Sequence, residues 1–522
     1  IAHPFFIGKR GHHDGALWQT VCQAVSTHHR QACQHAIATV QRARIAHTVD
    51  VRAYHQCILV GIAIGRGQNA KHIANLVYAH LQIEVAHPLH QGITARAVGI
   101  VGAYGGLVYL SSVLGGWIAD RLLGSEKTLL SAAIVVMIGH LALAFLPGIP
   151  GLAAGLVCVA LGGGSLKTTT STTLGDLYAP LDNRRDAAFS IYYMGVNIGA
   201  LIGPLGTSAL WGWKGFHWGF GLAAVGMAAG LIQYVAMRHH TVSESSSKPT
   251  NPLTKEQRRK WTIGLLVVVV ALAVVIASGV IKAEALSTIV VILTSLAALV
   301  LFAVILTSKN IDVDERSRVY SFIPMFIASS VFWSLFQQQF TVMAIYSDQR
   351  LNRHVFGMNL PPSVVNSINP VFIIIFAGVF AAMWTALGDR QPSTPVKFSL
   401  GTGIMGLAFL AFIPFSGGAD GTVPFWAIIV ILFLFTMAEL CISPVGQSLS
   451  TKLAPRAYHS QMVALYFLSV SLGSALAGTL SAFYSTSNEV PYFLAIGLGS
   501  IAVGAILFLA RRPIIKLMRG VN

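Results

Sequence analysis

The chain has 522 residues, 54% of them hydrophobic and only 10% charged. Soluble domains carry about 25% charged residues, so this composition excludes an ordinary soluble enzyme and calls for a chain that lies in lipid. The net charge of +16 does not point to nucleic acid, because Lys and Arg fall mostly in short loops between apolar runs, the pattern of cytoplasmic loops.

Residues 1–91 stand apart. They hold twelve of the 18 His, three of the five Cys and six Arg, and no uncharged run reaches spanning length. A metal-binding reading fails because His12-His13 and His28-His29 have no ordered ligand spacing and no Cys-x-x-Cys accompanies them. A disordered basic tail fits better. The abrupt change of composition at Gly92–Ala97 favours a third reading, a shifted reading frame that recovers there. No cleavable signal peptide is recognisable.

From Ala97 onward apolar runs follow one another at 97–119, 128–146, 150–177, 186–208, 217–237, 261–281, 285–307, 319–346, 363–387, 397–414, 423–444, 459–483 and 490–510. Each is long enough for a membrane helix, so the class is an all-α polytopic membrane protein. The charge-rich loops begin at Asp120, Asp182, Arg238, Lys309, Asp389 and Lys452, and they alternate with charge-poor ones. The rich loops are expected in the cytoplasm, together with the tail residues Arg511, Arg512, Lys516 and Arg519. On this count the run 97–119 ends inside and starts outside. Either the N-terminal segment is external or one span is missing before it.

Leu387-Gly388-Asp389-Arg390, followed by Pro395 and Lys397, repeats the pattern of Ala119-Asp120-Arg121 followed by Gly124 and Lys127. Repeated halves are a transporter architecture with the substrate site between them. This divides the chain into an atypical segment 1–91, a helical half 92–237, a cytoplasmic linker with two extra helices 238–318, a second half 319–510 and a basic tail 511–522. The extra pair, 261–307, is almost purely aliphatic and is expected to be peripheral and lipid-facing.

An ionisable residue inside a span is costly and therefore a functional candidate. Lys167, in LGGGSLKTTTSTTLGDLY, and Glu439, in FLFTMAELCISPVGQSL, stand out. They lie in opposite halves, an arrangement suited to a molecule with one negative and one positive end. Asn197, Gln337, Asn369 and Ser443 can hydrogen-bond a ligand or another helix. Tyr104, Tyr109, Trp333 and Tyr466 can wall a pocket. Pro204, Pro324, Pro370 and Pro444 interrupt helices and provide bending points. No catalytic triad, metal-ligand spacing or phosphate loop occurs in the spans, so no enzyme and no metal or organic cofactor is expected.

Several stretches together resemble the proton-dependent oligopeptide transporter family of the major facilitator superfamily: GAYGGLVYLSSVLGGWIADRLLG at 102–124, GDLYAPLDNRRDAAFSIYYMGVNIGALIGP at 175–204, HWGFGLAAVGMAAGLIQY at 217–234, FWSLFQQQ at 332–339, NSINPVF at 366–372 and ELCISPVGQSLSTKLAP at 439–455. The resemblance covers about 97–512. It implies two six-helix halves with two extra helices between them, of which the first span is unrecognisable here. It also implies a multi-pass protein of the bacterial inner membrane that imports di- and tripeptides with protons as the coupling ion, acting as a monomer. By position, Lys167 would meet the peptide carboxylate and Glu439 its amino terminus. Tyr109, Asn197, Asn369 and Ser443 would line the pocket with hydrogen bonds, and Trp333 and Tyr466 would shape side-chain pockets. Asp120, Arg121, Asp389 and Arg390 would serve gating.

Three departures stand out. The family's first span carries Glu-x-x-Glu-Arg, which residues 1–96 lack. Four residues after Trp333 the family often has Glu, where this chain has the non-titrating Gln337. At Tyr466 the family more usually has Trp. Two other readings follow: a different transporter of the superfamily, such as a drug–proton antiporter, and a receptor-like relative that does not transport.

Overall fold

The computed structural model describes residues 106–179, 182, 184–214, 216–241, 244–261, 263–264, 286–355, 357–360, 364–481, 483–485 and 487–521. The expectations for residues 1–91, for Tyr104 and the start of the first run, and for nearly all of the run 261–281 lie outside these. Eleven of the described helices are long and apolar enough to cross a membrane. They match the eleven remaining runs one for one. Lipid offers the backbone no hydrogen-bond partner, so an uninterrupted apolar run has to become a helix.

In chain order, residues 106–118 form helix α1, which ends in a π-turn at Ala119–Leu123. Then come α2 (Ser125–Phe145), α3 (Gly148–Asp176), α4 (Arg185–Lys214), α5 (Phe216–Thr241), α6 (Leu286–Thr307), α7 (Val313–Phe336), the short α8 (Val342–Gln349) and α9 (Val365–Leu387). The chain ends with α10 (Thr394–Leu410), α11 (Phe425–Lys452), α12 (His459–Ser481), α13 (Glu489–Leu509) and α14 (Arg511–Leu517). Helix α7 starts six residues before its apolar run. A capping box starts it early: Asp312 Oδ1 accepts from Glu315 N (2.7 Å), and Asp312 N donates to Glu315 Oε2 (3.2 Å).

Within each half, small residues set the closest packing. A Cβ on Gly162 of α3 would come within 2.8 Å of Ala132 O on α2, and one on Gly164 within 2.0 Å of Val108 O on α1. In the second half a Cβ on Gly406 of α10 would meet Gly497 O of α13 at 2.5 Å. Ser399 Oγ donates to Gly504 O and Ser500 Oγ to Thr402 O across the same pair, both at 2.7 Å. In lipid, backbone approach and hydroxyl bonds do the work that water exclusion does in a soluble core. Across the halves, α4 packs on α9 and α11, and α3 packs on α11 and α12.

Helix α6 is only partly as expected. Ile292, Leu296, Leu299 and Val300 are exposed, as a lipid-facing helix requires. Its other face is docked: Val290, Thr294, Ala298 and Ile305 are buried, and Thr294 Oγ1 bonds Ser471 Oγ of α12 at 3.1 Å. Every third or fourth residue packs while the rest face lipid, so an aliphatic helix does both.

At the end remote from the charge-rich loops, Arg350 ties three segments of the second half together. Its Nε pairs with Glu489 Oε1 (2.9 Å) and its Nη1 with Asp420 Oδ1 (3.1 Å) and the carbonyl of Gly418. Gly417 N and Tyr484 Oη complete the shell of Glu489.

Candidate substrate site and cytoplasmic gate

Helix α3 carries the Gly- and Thr-rich stretch around Lys167. Most of the hydroxyls there are satisfied locally. Thr168, Thr169, Thr170 and Thr172 each donate to the carbonyl four residues back, at 2.7 to 3.1 Å. The Thr173 hydroxyl is buried without a hydrogen bond among the described residues, and Lys167 has an aromatic ring for its neighbour. Its Nζ lies over the Tyr109 ring of α1, 4.2 Å from the centroid. Among the described residues no carboxylate pairs with it.

Glu439 sits at the middle of α11 and is 2% exposed. Asn369 Nδ2 on α9 donates to its Oε2 (3.1 Å), and Tyr193 Oη on α4 donates to its Oε1. Asn369 Nδ2 also reaches Thr436 Oγ1 at 3.2 Å. The carboxylate is therefore held by both halves, by Tyr193 from the first and Asn369 from the second. A buried carboxylate needs such donors, since an unpaired one is costly in lipid.

Aromatic rings lead from Lys167 to α11, the helix of Glu439. Tyr109 stacks on Phe467 at 6.4 Å, and Tyr466 packs edge-on to Phe467 at 5.5 Å. Tyr466 is fully buried and donates to Ser443 O (3.2 Å). Its ring lies close against α11 at Gly446, where a Cβ would collide with it. Trp333 stands in a cluster with Phe332 and Phe336, crossed by α12 at Gly473. The Ser443 hydroxyl and the Trp333 indole N–H are buried without a hydrogen bond among the described residues.

The structure thus brings Tyr109 to Lys167, Asn369 to Glu439, and Ser443 and Trp333 to the region of Tyr466. Among the described residues neither Asn197 nor Gln337 bonds Lys167 or Glu439. Asn197 Nδ2 bonds Tyr193 O of its own helix (3.0 Å), and Gln337 Nε2 bonds Ser474 Oγ of α12 (2.8 Å). Tyr193 was not singled out in the sequence. It lies four residues before Asn197 on the same helix face, and that spacing is the signal that points to it.

At the end carrying the charge-rich loops, the halves are clipped together twice. In one clip Asp120, 1% exposed, accepts from Ser460 N and Gln461 N (2.9 Å each), capping α12 of the other half. Burial raises the Asp120 carboxyl above the ordinary carboxylate range, against the lowering effect of the Ser460 and Gln461 N–H donors. Arg121 offers its carbonyl to Leu253 N (3.2 Å). In the other clip Asp186 at the start of α4 is 4% exposed and lies between Lys397 Nζ (2.7 Å) and Lys452 Nζ (3.0 Å), with Ser448 Oγ at 2.6 Å. Lys397 also lies 4.1 Å over the Trp384 ring. Arg185 Nη2 donates to Thr451 Oγ1 (2.7 Å), and Ser171 Oγ to Gln447 Oε1 (3.0 Å). Asp389 and Arg390, expected to act like Asp120 and Arg121, are exposed in a short 3₁₀ turn. In the sequence Asp186, Lys397 and Lys452 look like loop charges, because only pairing across the halves buries them.

Residues 126–500 match the POT family. The chain is 37% identical to the di-/tripeptide transporter of Lactococcus lactis subsp. cremoris, over 86% of this chain and 93% of that one. A crystal structure of a peptide transporter POT in complex with sulfate is similar at 40% identity and a TM-score of 0.66, covering 82% of this chain and 88% of that one. A POT family transporter in complex with 5-aminolevulinic acid is similar at 35% identity and a TM-score of 0.67, over 80% and 88%. The fold is that of the major facilitator type, with eleven described membrane-spanning helices. The chain is a multi-pass membrane protein that belongs to the POT family of transporters.

Proposed function

We propose that the chain imports di- and tripeptides together with protons, by alternating access between its two halves. One observation carries the reading: a cation from the first half, Lys167, and a carboxylate from the second, Glu439, lie at either side of a series of rings, Tyr109, Phe467 and Tyr466, that runs from Lys167 to the carbonyl of Ser443, one turn of α11 after Glu439. A short peptide carries the complementary charges at its two ends. Charge-assisted hydrogen bonds at low dielectric make both ends strong contacts. The side chains between them meet rings and small hydroxyls, which select little by shape. The relatives named di-/tripeptide transporters support the same substrate class. Neither the antiporter nor the receptor-like reading gains support from them.

Binding would proceed by exchange. The peptide ammonium would take the place of the Tyr193 hydroxyl on Glu439, loosening a bond that now joins the halves. Its carboxylate would meet Lys167, drawing the ammonium off the Tyr109 ring. Glu439 is the single carboxylate at the middle of a span among the described residues, so we assign to it the site where a proton and the peptide ammonium compete. Gln337 cannot fill that role. With the cytoplasmic clips closed, the substrate would enter from the opposite side, and release into the cytoplasm would require both clips to open.

The test is uptake of a labelled dipeptide into proteoliposomes under an inward proton gradient. Lys167→Ala and Glu439→Gln are each expected to lower accumulation at least 10-fold. Undiminished uptake by both variants would overturn the clamp. An unaltered chain that takes up no dipeptide would overturn the function.

A further inference from the structure

The segment joining the two halves is laid across the cytoplasmic end and bonded there residue by residue. Asn251 N donates to Asp120 O (2.8 Å) and Leu253 N to Arg121 O (3.2 Å), so the segment follows the Asp120 turn like a paired strand. Thr250 Oγ1 donates to Asp120 Oδ1 (3.3 Å), Ser246 Oγ to Asp176 Oδ2 (2.8 Å), and Ser125 Oγ to Ser246 O (3.3 Å). Gly124, at φ +87°, lies so close beneath that a Cβ there would stand 2.7 Å from Lys248 N. Leu253 is buried, which anchors the end of the segment.

The two carboxylates that the segment touches, Asp120 and Asp176, also reach across to the other half. Asp120 caps the first turn of α12 through Ser460 N and Gln461 N. Asp176 Oδ1 lies 3.3 Å from His459 Nδ1, at the first residue of the same helix. A cavity of about 220 Å³ lies between the segment, these carboxylates and the start of α12. The unsatisfied N–H groups of a helix start are bonded well only by acceptors held in place. Each carboxylate here has one oxygen on the strap and contacts on α12.

We propose that residues 246–253 form a positioning strap for the cytoplasmic gate, in which Thr250 and Ser246 orient Asp120 and Asp176 to receive the N-terminus of α12. The strap bonds only the first half among the described residues, so it can stay docked as α12 departs and return the same acceptors to it. The role rests on the alternating-access reading. It makes Ser246 and Thr250 positioning residues that favour the cytoplasm-closed state without touching the substrate.

The test is a spin-label distance measurement, in a background without other cysteines, between Lys127→Cys in the first half and Arg512→Cys in the second. Both positions are exposed. In lipid without substrate, Ser246→Ala combined with Thr250→Val is expected to raise the long-distance, cytoplasm-open population at least 3-fold. The conservative pair Ser246→Thr with Thr250→Ser keeps both donors and is expected to restore the original distribution, which general loosening of the fold would not do. An unmoved Ala/Val variant, or an equal shift in both pairs, overturns the strap. A single distance in the unaltered chain with and without dipeptide overturns alternating access, and the strap with it.

Discussion

The two halves carry the same short acidic–basic turn at the same end of the membrane and use it differently. Asp120 is buried and caps a helix of the opposite half, while Asp389 is exposed. The second half makes its clip from other residues, Lys397 and Lys452, which meet Asp186 of the first half. Repetition of sequence therefore does not fix the contacts of the halves. One clip is a carboxylate on backbone donors and the other is a buried ion cluster, and the two should fail differently.

The largest effect is expected at the ion cluster. Asp186→Ala leaves two buried ammoniums without their shared anion, a loss of about 3–5 kcal/mol, to be read by thermal unfolding in detergent. If Asp186→Ala unfolds like the unaltered chain, the cluster is not a clip. Next comes Asp120→Ala, which strips the cap from α12 at a cost of about 2 kcal/mol. It should also shift the spin-label distances toward the open state. Gly124→Ala should cost about 1–2 kcal/mol, because it forces an L side chain to a positive φ beneath the strap. Its effect on gating should be in the same direction as that of Asp120→Ala. Asp389→Ala should change stability by no more than about 0.5 kcal/mol, as an exposed substitution does. A loss at Asp389 as large as that at Asp120 would restore symmetry between the two turns.

The spans were legible because lipid leaves an apolar run no alternative to a helix. Lys167 and Glu439 were legible for a related reason: a charge in such a run announces its cost. What escaped depends on a partner far away in the chain. Asp186, Lys397 and Lys452 look like ordinary loop charges until the halves meet. Tyr193 looks like one more aromatic residue until Glu439 of the other half is placed against it. The strap 246–253 reads as a polar, Pro-containing linker, and only its hydrogen bonds to Asp120, Arg121 and Asp176 distinguish it from one. The docked face of α6 was missed because an aliphatic composition is the same for lipid and for a packed neighbour.

In the proposed clamp one molecule is held by its two ends, the carboxylate at Lys167 and the ammonium at Glu439. Binding of a dipeptide, its N-acetylated form and its C-amidated form to the unaltered chain, Lys167→Ala and Glu439→Gln tests it directly. A two-ended clamp gives a crossed pattern. N-acetylation should weaken binding to the unaltered chain and to Lys167→Ala at least 10-fold but leave Glu439→Gln nearly unaffected, and C-amidation should do the reverse. Equal losses for both modified peptides in both variants would contradict it.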